Sequence, residues 1–158
     1  MVREIALKLD EWIAARNAQA RIEGSALLRP CTIKVLGQTA LFEAGVKLAL
    51  AATKDVDVYA DYSNAVEQEF ARLLAKAGYE LDPVGHEVWM PRETQYTRVY
   101  DGRFVQLLLA DPEAIFLSKA LKAPAKNRPL LVEYLASGAS DRFLRLAGKY
   151  HLKLEQFL

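Results

Sequence analysis

The chain is poor in the residues from which most metal and redox chemistry is built. It has one cysteine, Cys31, and two histidines, His86 and His151. A single cysteine excludes an internal disulfide framework and agrees with a reducing, cytoplasmic setting. Cys31 follows Pro30 at the start of an expected strand, where a buried, inert thiol is the expected role. Two histidines far apart give a zinc site little support. Long apolar runs are missing too: Leu48 to Ala52 is far too short to cross a bilayer. Met1-Val2-Arg3-Glu4 opens the chain without an apolar segment, so neither a secretory signal nor a membrane partner is expected. Charge of one sign is not in excess either. The net charge of +1 argues neither for nor against nucleic acid. There is no internal repeat and no low-complexity segment. Ser63 and Ser140 lack a Gly-x-Ser-x-Gly context and read as helix caps rather than nucleophiles.

What is present is an ordinary globular composition. The 158 residues, 52% hydrophobic and 26% charged, fit one domain, or one domain with a small appended lobe. The charge is unevenly distributed. From Lys119 onward, Lys119, Lys122, Lys126, Arg128, Arg142, Arg145, Lys149 and Lys153 stand against Glu133, Asp141 and Glu155, so this part carries about +5. Such a part either approaches a phosphate backbone or simply carries solvated charge on helices.

Ile5, Leu9, Trp12 and Ile13 follow helical spacing and predict a helix over residues 3–22. Thr32 to Leu36 is a β-branched run and a first strand, ended by Gly37. Thr39 to Leu50 reads as a helix with Leu41, Phe42, Val46 and Leu50 inward, although Gly45 interrupts it. Asp55 to Tyr59 is the second strand, and Ser63 caps a helix over Asn64 to Ala77 that Gly78 stops. Val84–Met90, Tyr96–Tyr100 and Arg103–Leu109 read as strands, with Asp101-Gly102 as a hairpin turn. Asp111-Pro112-Glu113 starts a helix that runs to about Leu121. Pro124 and Pro129 bracket a loop before a helix from Leu130 to Ala136, and Ser140 caps a last helix over Asp141–Tyr150. The expected fold class is α+β, a mixed sheet with flanking helices and a helical C-terminal part. The expected division is a core over 1–110 with its N-terminal helix, and a helical part over 111–158 packed on that core.

The chemistry concentrates in Thr53-Lys54-Asp55-Val56-Asp57-Val58. Alternation along a strand puts Asp55 and Asp57 on one face and Val56 and Val58 on the other. Two adjacent carboxylates raise each other's pKa unless a cation sits between them, and Mg²⁺ suits one or two carboxylates together with substrate phosphates. The Gly37 turn upstream offers backbone N–H groups to such phosphates.

Three segments in order resemble the nucleotidyltransferase superfamily, the polymerase-beta-like fold, and within it the bacterial abortive-infection-type toxins. They are Leu36-Gly37-Gln38-Thr39-Ala40-Leu41, then Ala51-Ala52-Thr53-Lys54-Asp55-Val56-Asp57, then Asp111-Pro112-Glu113-Ala114-Ile115-Phe116-Leu117-Ser118-Lys119. They correspond to that family's Gly-rich turn, its Thr-x-Asp-h-Asp strand and its Pro-Glu-Asp-Leu-x-x-x-Lys helix, and the resemblance spans about Thr32 to Leu135. It implies a nucleotidyltransferase-like core that moves a nucleotidyl group from an NTP to a hydroxyl with Mg²⁺. Asp55 and Asp57 would be the catalytic metal ligands. Gly37, Gln38 and the Thr39 hydroxyl, with Lys54 and Lys119, would contact the nucleotide. The family's third carboxylate belongs on the strand Arg103–Leu109, where alternation selects Gln106, with Glu87 and Asp101 as alternative acids. An RNA acceptor and an antitoxin-like protein are the implied partners.

Three readings stay open on the residues: a cytoplasmic nucleotidyltransferase, a catalytically degenerate binding or regulatory module on the same fold, and a structural protein whose paired aspartates cap an edge. Other candidates carry bland explanations beside sharp ones. Trp89, Tyr96, Tyr100 and Phe104 either stack a base or pack across strands, and nothing near His86 in sequence would orient it as a base.

Overall fold

The computed structural model of the chain describes residues 1–49 and 53–158. Leu50, Ala51 and Ala52 lie outside the described residues. The predicted end of the second helix and part of the second family-like segment fall there.

The described residues form an α+β fold with a five-stranded mixed sheet and six helices. In chain order they are α1 (Val2–Glu23), β1 (Cys31–Leu36), α2 (Gly37–Glu43), β2 (Asp55–Ala60), α3 (Asn64–Lys76), β3 (Glu80–Leu81), β4 (Tyr96–Asp101), β5 (Val105–Ala110), α4 (Pro112–Lys122), α5 (Pro124–Ala136) and α6 (Asp141–Lys149). The sheet order is β3-β2-β1-β5-β4. β1 is antiparallel to β2 and parallel to β5, while β2–β3 is parallel and β4–β5 antiparallel.

Caps set most helix starts. The Ser63 hydroxyl accepts the Val66 N–H, the Asp111 carboxylate that of Ala114, and the Ser140 hydroxyl that of Phe143. Pairing places Ile33, Val35, Val58, Leu107 and Leu109 on one buried face of the sheet. α1 and α3 pack on each other, and their buried residues Ile5, Leu9, Ile13, Phe70 and Leu74 join the same core. Phe116, Leu117, Leu131 and Phe143 of the C-terminal helices belong to it as well.

One long-range device fixes α1 to the sheet. Asp10 accepts hydrogen bonds from the N–H groups of Arg103, Phe104 and Val105 and from the Tyr100 hydroxyl, so it fills the concave turn between β4 and β5.

Four expectations change. α2 stops at Glu43, with Gly45 in the left-handed region just beyond (φ 74°), and Phe42 is 67% exposed instead of inward. The strand expected over Val84–Met90 is absent. In its place β3 covers only Glu80–Leu81, followed by a 3₁₀ turn at Gly85–Glu87. The final strand begins at Val105 rather than Arg103. No loop separates Pro124 from Pro129: α5 runs through both, with Pro124 in its first turn and Pro129 inside, where its ring removes one backbone hydrogen bond without ending the helix.

Candidate functional site

The register of β1 with β2 assembles the site. Leu36 pairs with Asp57, so the end of β1 and the start of β2 lie together, and the turn at Gly37 begins there. Gly37 takes a left-handed conformation (φ 62°) that a side chain would strain. A methyl group added to it would sit 2.7 Å from Asp57 Oδ2, so the turn lies directly on that carboxylate. Asp55 and Asp57 share a face of β2, as alternation requires. Asp55 is exposed and Asp57 half-buried.

A third carboxylate meets Asp57, from the β3 side of the sheet rather than from β5. β3 pairs in parallel with β2, and the Asp82 N–H donates to the Val56 carbonyl (3.0 Å), which carries Asp82 up beside Asp57. Burial and a hydrogen bond with the Asp82 carboxyl raise the Asp57 pKa from 3.8 to about 6. The Asp82 and Asp55 charges add to this, and the Lys119 ammonium opposes it.

The two sides of the site face each other across a cavity of about 500 Å³, a volume ordinary for a small-molecule site. Its described lining includes Gln38, Thr53, Asp55, Asp57 and Asp82 on the sheet side and Lys119, Lys126 and Asn127 from α4 and α5. Ala49, Pro129 and Leu130 add apolar surface. Burial and the nearby Lys126 charge hold the Lys119 ammonium below the usual lysine range. The Asn127 amide donates to the carbonyls of Ala123 (3.0 Å) and Lys119 (3.4 Å), which ties the start of α5 to the end of α4 and holds Lys126 beside Lys119. The cavity is therefore bipolar, with three carboxylates opposite two lysines.

Among the residues expected at the site, Asp55, Asp57, Gln38 and Lys119 line this cavity, and Gly37 contacts Asp57. Thr39 does not. It is 4% exposed, and its hydroxyl donates to the Asp55 carbonyl (3.3 Å), so it braces the start of β2 instead of facing a ligand. Lys54 is exposed and outside the lining because alternation turns it away from Asp55. Its carbonyl instead accepts the Glu80 N–H (2.7 Å).

Gln106 is at the wrong end of the sheet. It pairs with Thr32, at the start of β1, whereas the acids lie by Leu36 at its end. Its amide donates to Asp101 (3.2 Å), and Asp101 also pairs with Arg98, so neither reaches the pair of aspartates. Glu87, in the 3₁₀ turn, is 69% exposed and lies 4.0 Å from His86.

Asp82, Lys126 and Asn127 were not singled out by sequence. Asp82 lies outside every motif read from the sequence, and only the short β3 pairing brings it to Asp57. Lys126 was visible only as one charge in the basic C-terminal part.

The chemistry of the donors suits a hard cation. Carboxylate oxygens match Mg²⁺ or Ca²⁺ rather than a soft metal. Such a cation would balance the negative charge that Asp57 and Asp82 bring together. Among the described residues no three His, Cys, Asp or Glu groups form a ready metal cage. Mg²⁺ bound through one or two carboxylates and the phosphates of a ligand does not need one. The chain matches no family model, no curated protein and no solved structure.

Proposed function

We propose that this cavity binds a nucleoside triphosphate with a divalent cation and transfers its nucleotidyl group to a hydroxyl acceptor. The observation that carries the reading is the bipolar cavity, with Asp55, Asp57 and Asp82 opposite Lys119 and Lys126. A ligand that satisfies both walls has a polyanionic part for the lysines and brings a cation to the acids. A magnesium-bound triphosphate has both. The order of the Gly37 turn, the Asp55–Asp57 strand and the Asp111–Lys119 helix supports the same class by its resemblance to nucleotidyltransferases.

Asp57 and Asp82, with Asp55 at the rim, would hold Mg²⁺, which when bound neutralises the phosphates and the charge that develops on the leaving pyrophosphate. Lys119 and Lys126 hold the phosphate chain as point charges, and the apolar Ala49, Pro129 and Leu130 surface receives the rest of the nucleotide. The acceptor oxygen forms a bond to the α-phosphorus as the bond to the bridging oxygen of pyrophosphate breaks. The acceptor proton leaves to solvent. The excess of basic residues from Lys119 onward supports RNA as the acceptor, and an antitoxin-like protein is the further partner that the resemblance implies.

The degenerate binding module is favoured by one observation, the lack of a ready three-group metal cage among the described residues. Thermal shift with ATP, GTP, CTP and UTP, with and without Mg²⁺, tests binding. Transfer of radioactive α-phosphate to RNA separates the enzyme from the module. The expected result is a Mg²⁺-dependent rise in melting temperature that Asp57→Asn abolishes, Asp82→Asn weakens at least tenfold in ligand concentration, and Gln106→Ala leaves unchanged. No shift at millimolar nucleotide removes both readings, and loss on Gln106→Ala with none on Asp82→Asn overturns the assignment of the third acid.

A further inference from the structure

We propose that Gly85 is a positioning residue for the carboxylate site, and that residues 82–88 act as a strap whose seat on β2 sets the spacing of Asp57 and Asp82. The inference rests on the cation-binding reading above.

A methyl group added to Gly85 would lie 2.9 Å from Asp57 Cα, 3.0 Å from the Val58 nitrogen and 3.2 Å from Asp57 Oδ1. Non-bonded carbon contacts settle at about 3.5–4.0 Å, so there is no room for it. Together with Gly37, which abuts Oδ2, Gly85 boxes in both oxygens of one carboxylate. The two contacts differ in kind. Gly37 meets the free end of a side chain, whereas Gly85 meets backbone. That backbone is held by the pairing of Asp57 and Val58 with Leu36 and Val35, so it cannot yield without disturbing the centre of the sheet. Gly85 is buried, and its φ is not in the left-handed region, so close approach alone demands glycine there.

The strap is tied at its start and folded on itself. Glu80 and Asp82 donate their N–H groups to the carbonyls of Lys54 and Val56. Pro83 fixes the next backbone angle. The Val84 N–H donates to Asp82 Oδ1 (3.0 Å) and the Gly85 N–H to the Asp82 carbonyl (3.1 Å). One oxygen of Asp82 is thus bound to the strap's own turn while the carboxyl faces Asp57. The same few residues supply the third acid and press against its partner, so the fit at Gly85 determines how far apart the two carboxyls stand.

Mn²⁺ binding to the full chain, followed by electron paramagnetic resonance, tests this. Gly85→Ala is expected to weaken Mn²⁺ at least tenfold. The control Gly148→Ala, with open space around its α-carbon in α6, leaves the affinity unchanged. The double variant Asp82→Asn/Gly85→Ala should bind no more weakly than Asp82→Asn alone, since both act through the spacing of the Asp57–Asp82 pair. A purely structural Gly85 would lower the melting temperature while the folded protein kept its Mn²⁺ affinity, and that result overturns the proposal. Should Gly85→Ala not fold, Pro83→Ala decides the question. Pro83 is exposed, and the change slackens the strap without adding atoms. A loss of threefold or more supports the strap, and unchanged affinity overturns it. Wild-type protein that binds no Mn²⁺ at millimolar concentration overturns both this inference and the functional reading, whereas wild-type binding with Gly85→Ala unaffected overturns this inference alone.

Discussion

Replacing Asp57 by asparagine should make the cation-free protein more stable, not less. In the folded chain, burial and the Asp82 carboxyl raise the pKa of this group from 3.8 to about 6. The folded state therefore holds the proton to higher pH than the unfolded state does. Stability falls as pH rises from about 4 to about 6, and the full loss is present above that window. At about 1.4 kcal/mol per pH unit the ceiling is about 3 kcal/mol. Solvent screening in the cavity reduces the expected gain to roughly 1–2 kcal/mol. Asparagine keeps the shape, carries no charge and can donate its amide to Asp82. In a domain of this size the gain is a rise of roughly 4 °C in melting temperature. The assay is calorimetry in EDTA across pH 4 to 8, with wild type and Asp57→Asn side by side. The variant should melt higher at pH 7.5, and the two curves should converge toward pH 4. A variant that melts at or below wild type at pH 7.5, or one whose advantage does not change with pH, refutes the reasoning.

Asp10→Ala should destabilise the fold by about 3 kcal/mol in urea unfolding, because it strands the N–H groups of Phe104 and Val105. Tyr100→Phe, which removes one of the partners of Asp10, should cost only about 1 kcal/mol. Cys31 is buried, and burial with the Asp61 and Asp10 charges raises its thiol pKa from 9.0 to about 11. A chromogenic disulfide reagent at pH 8 should therefore titrate no thiol in the native protein and one after unfolding.

Much of the architecture is local in origin and so could be read from the chain. The caps Ser63, Asp111 and Ser140 announce α3, α4 and α6 because each satisfies N–H groups a few residues away. Asp55 and Asp57 were legible for the same reason, since a period of two is a property of neighbours. Gln106 shows where that logic ends. Alternation assigns a residue to a face of the sheet, but which end of the strand meets β1's end depends on register, and the Thr32–Gln106 pairing is set by contacts across the whole sheet. Asp82 was illegible because a two-residue strand carries no periodicity. α5 was hidden because Pro129 reads as a break, yet packing around Leu131 and Tyr134 keeps the helix continuous. Tyr134 stacks on Phe116 at 3.9 Å between ring centroids.

The parallel pairing of β1 with β5 has a consequence for the order in which the chain assembles. Cys31 faces Val105 and Val35 faces Leu109, so the central strand waits for its second neighbour until most of the chain exists. During synthesis, α1 through β3 can close first, with Asp55, Asp57 and Asp82 already gathered and one backbone edge of β1 unpaired. Such an edge invites pairing with another nascent copy. Closing the long loop to β5 is slow compared with forming the hairpin of β4 and β5, which is local. The strands that carry the acids are thus synthesised before the lysines of α4 and α5, and the two walls of the cavity meet only once those helices have emerged.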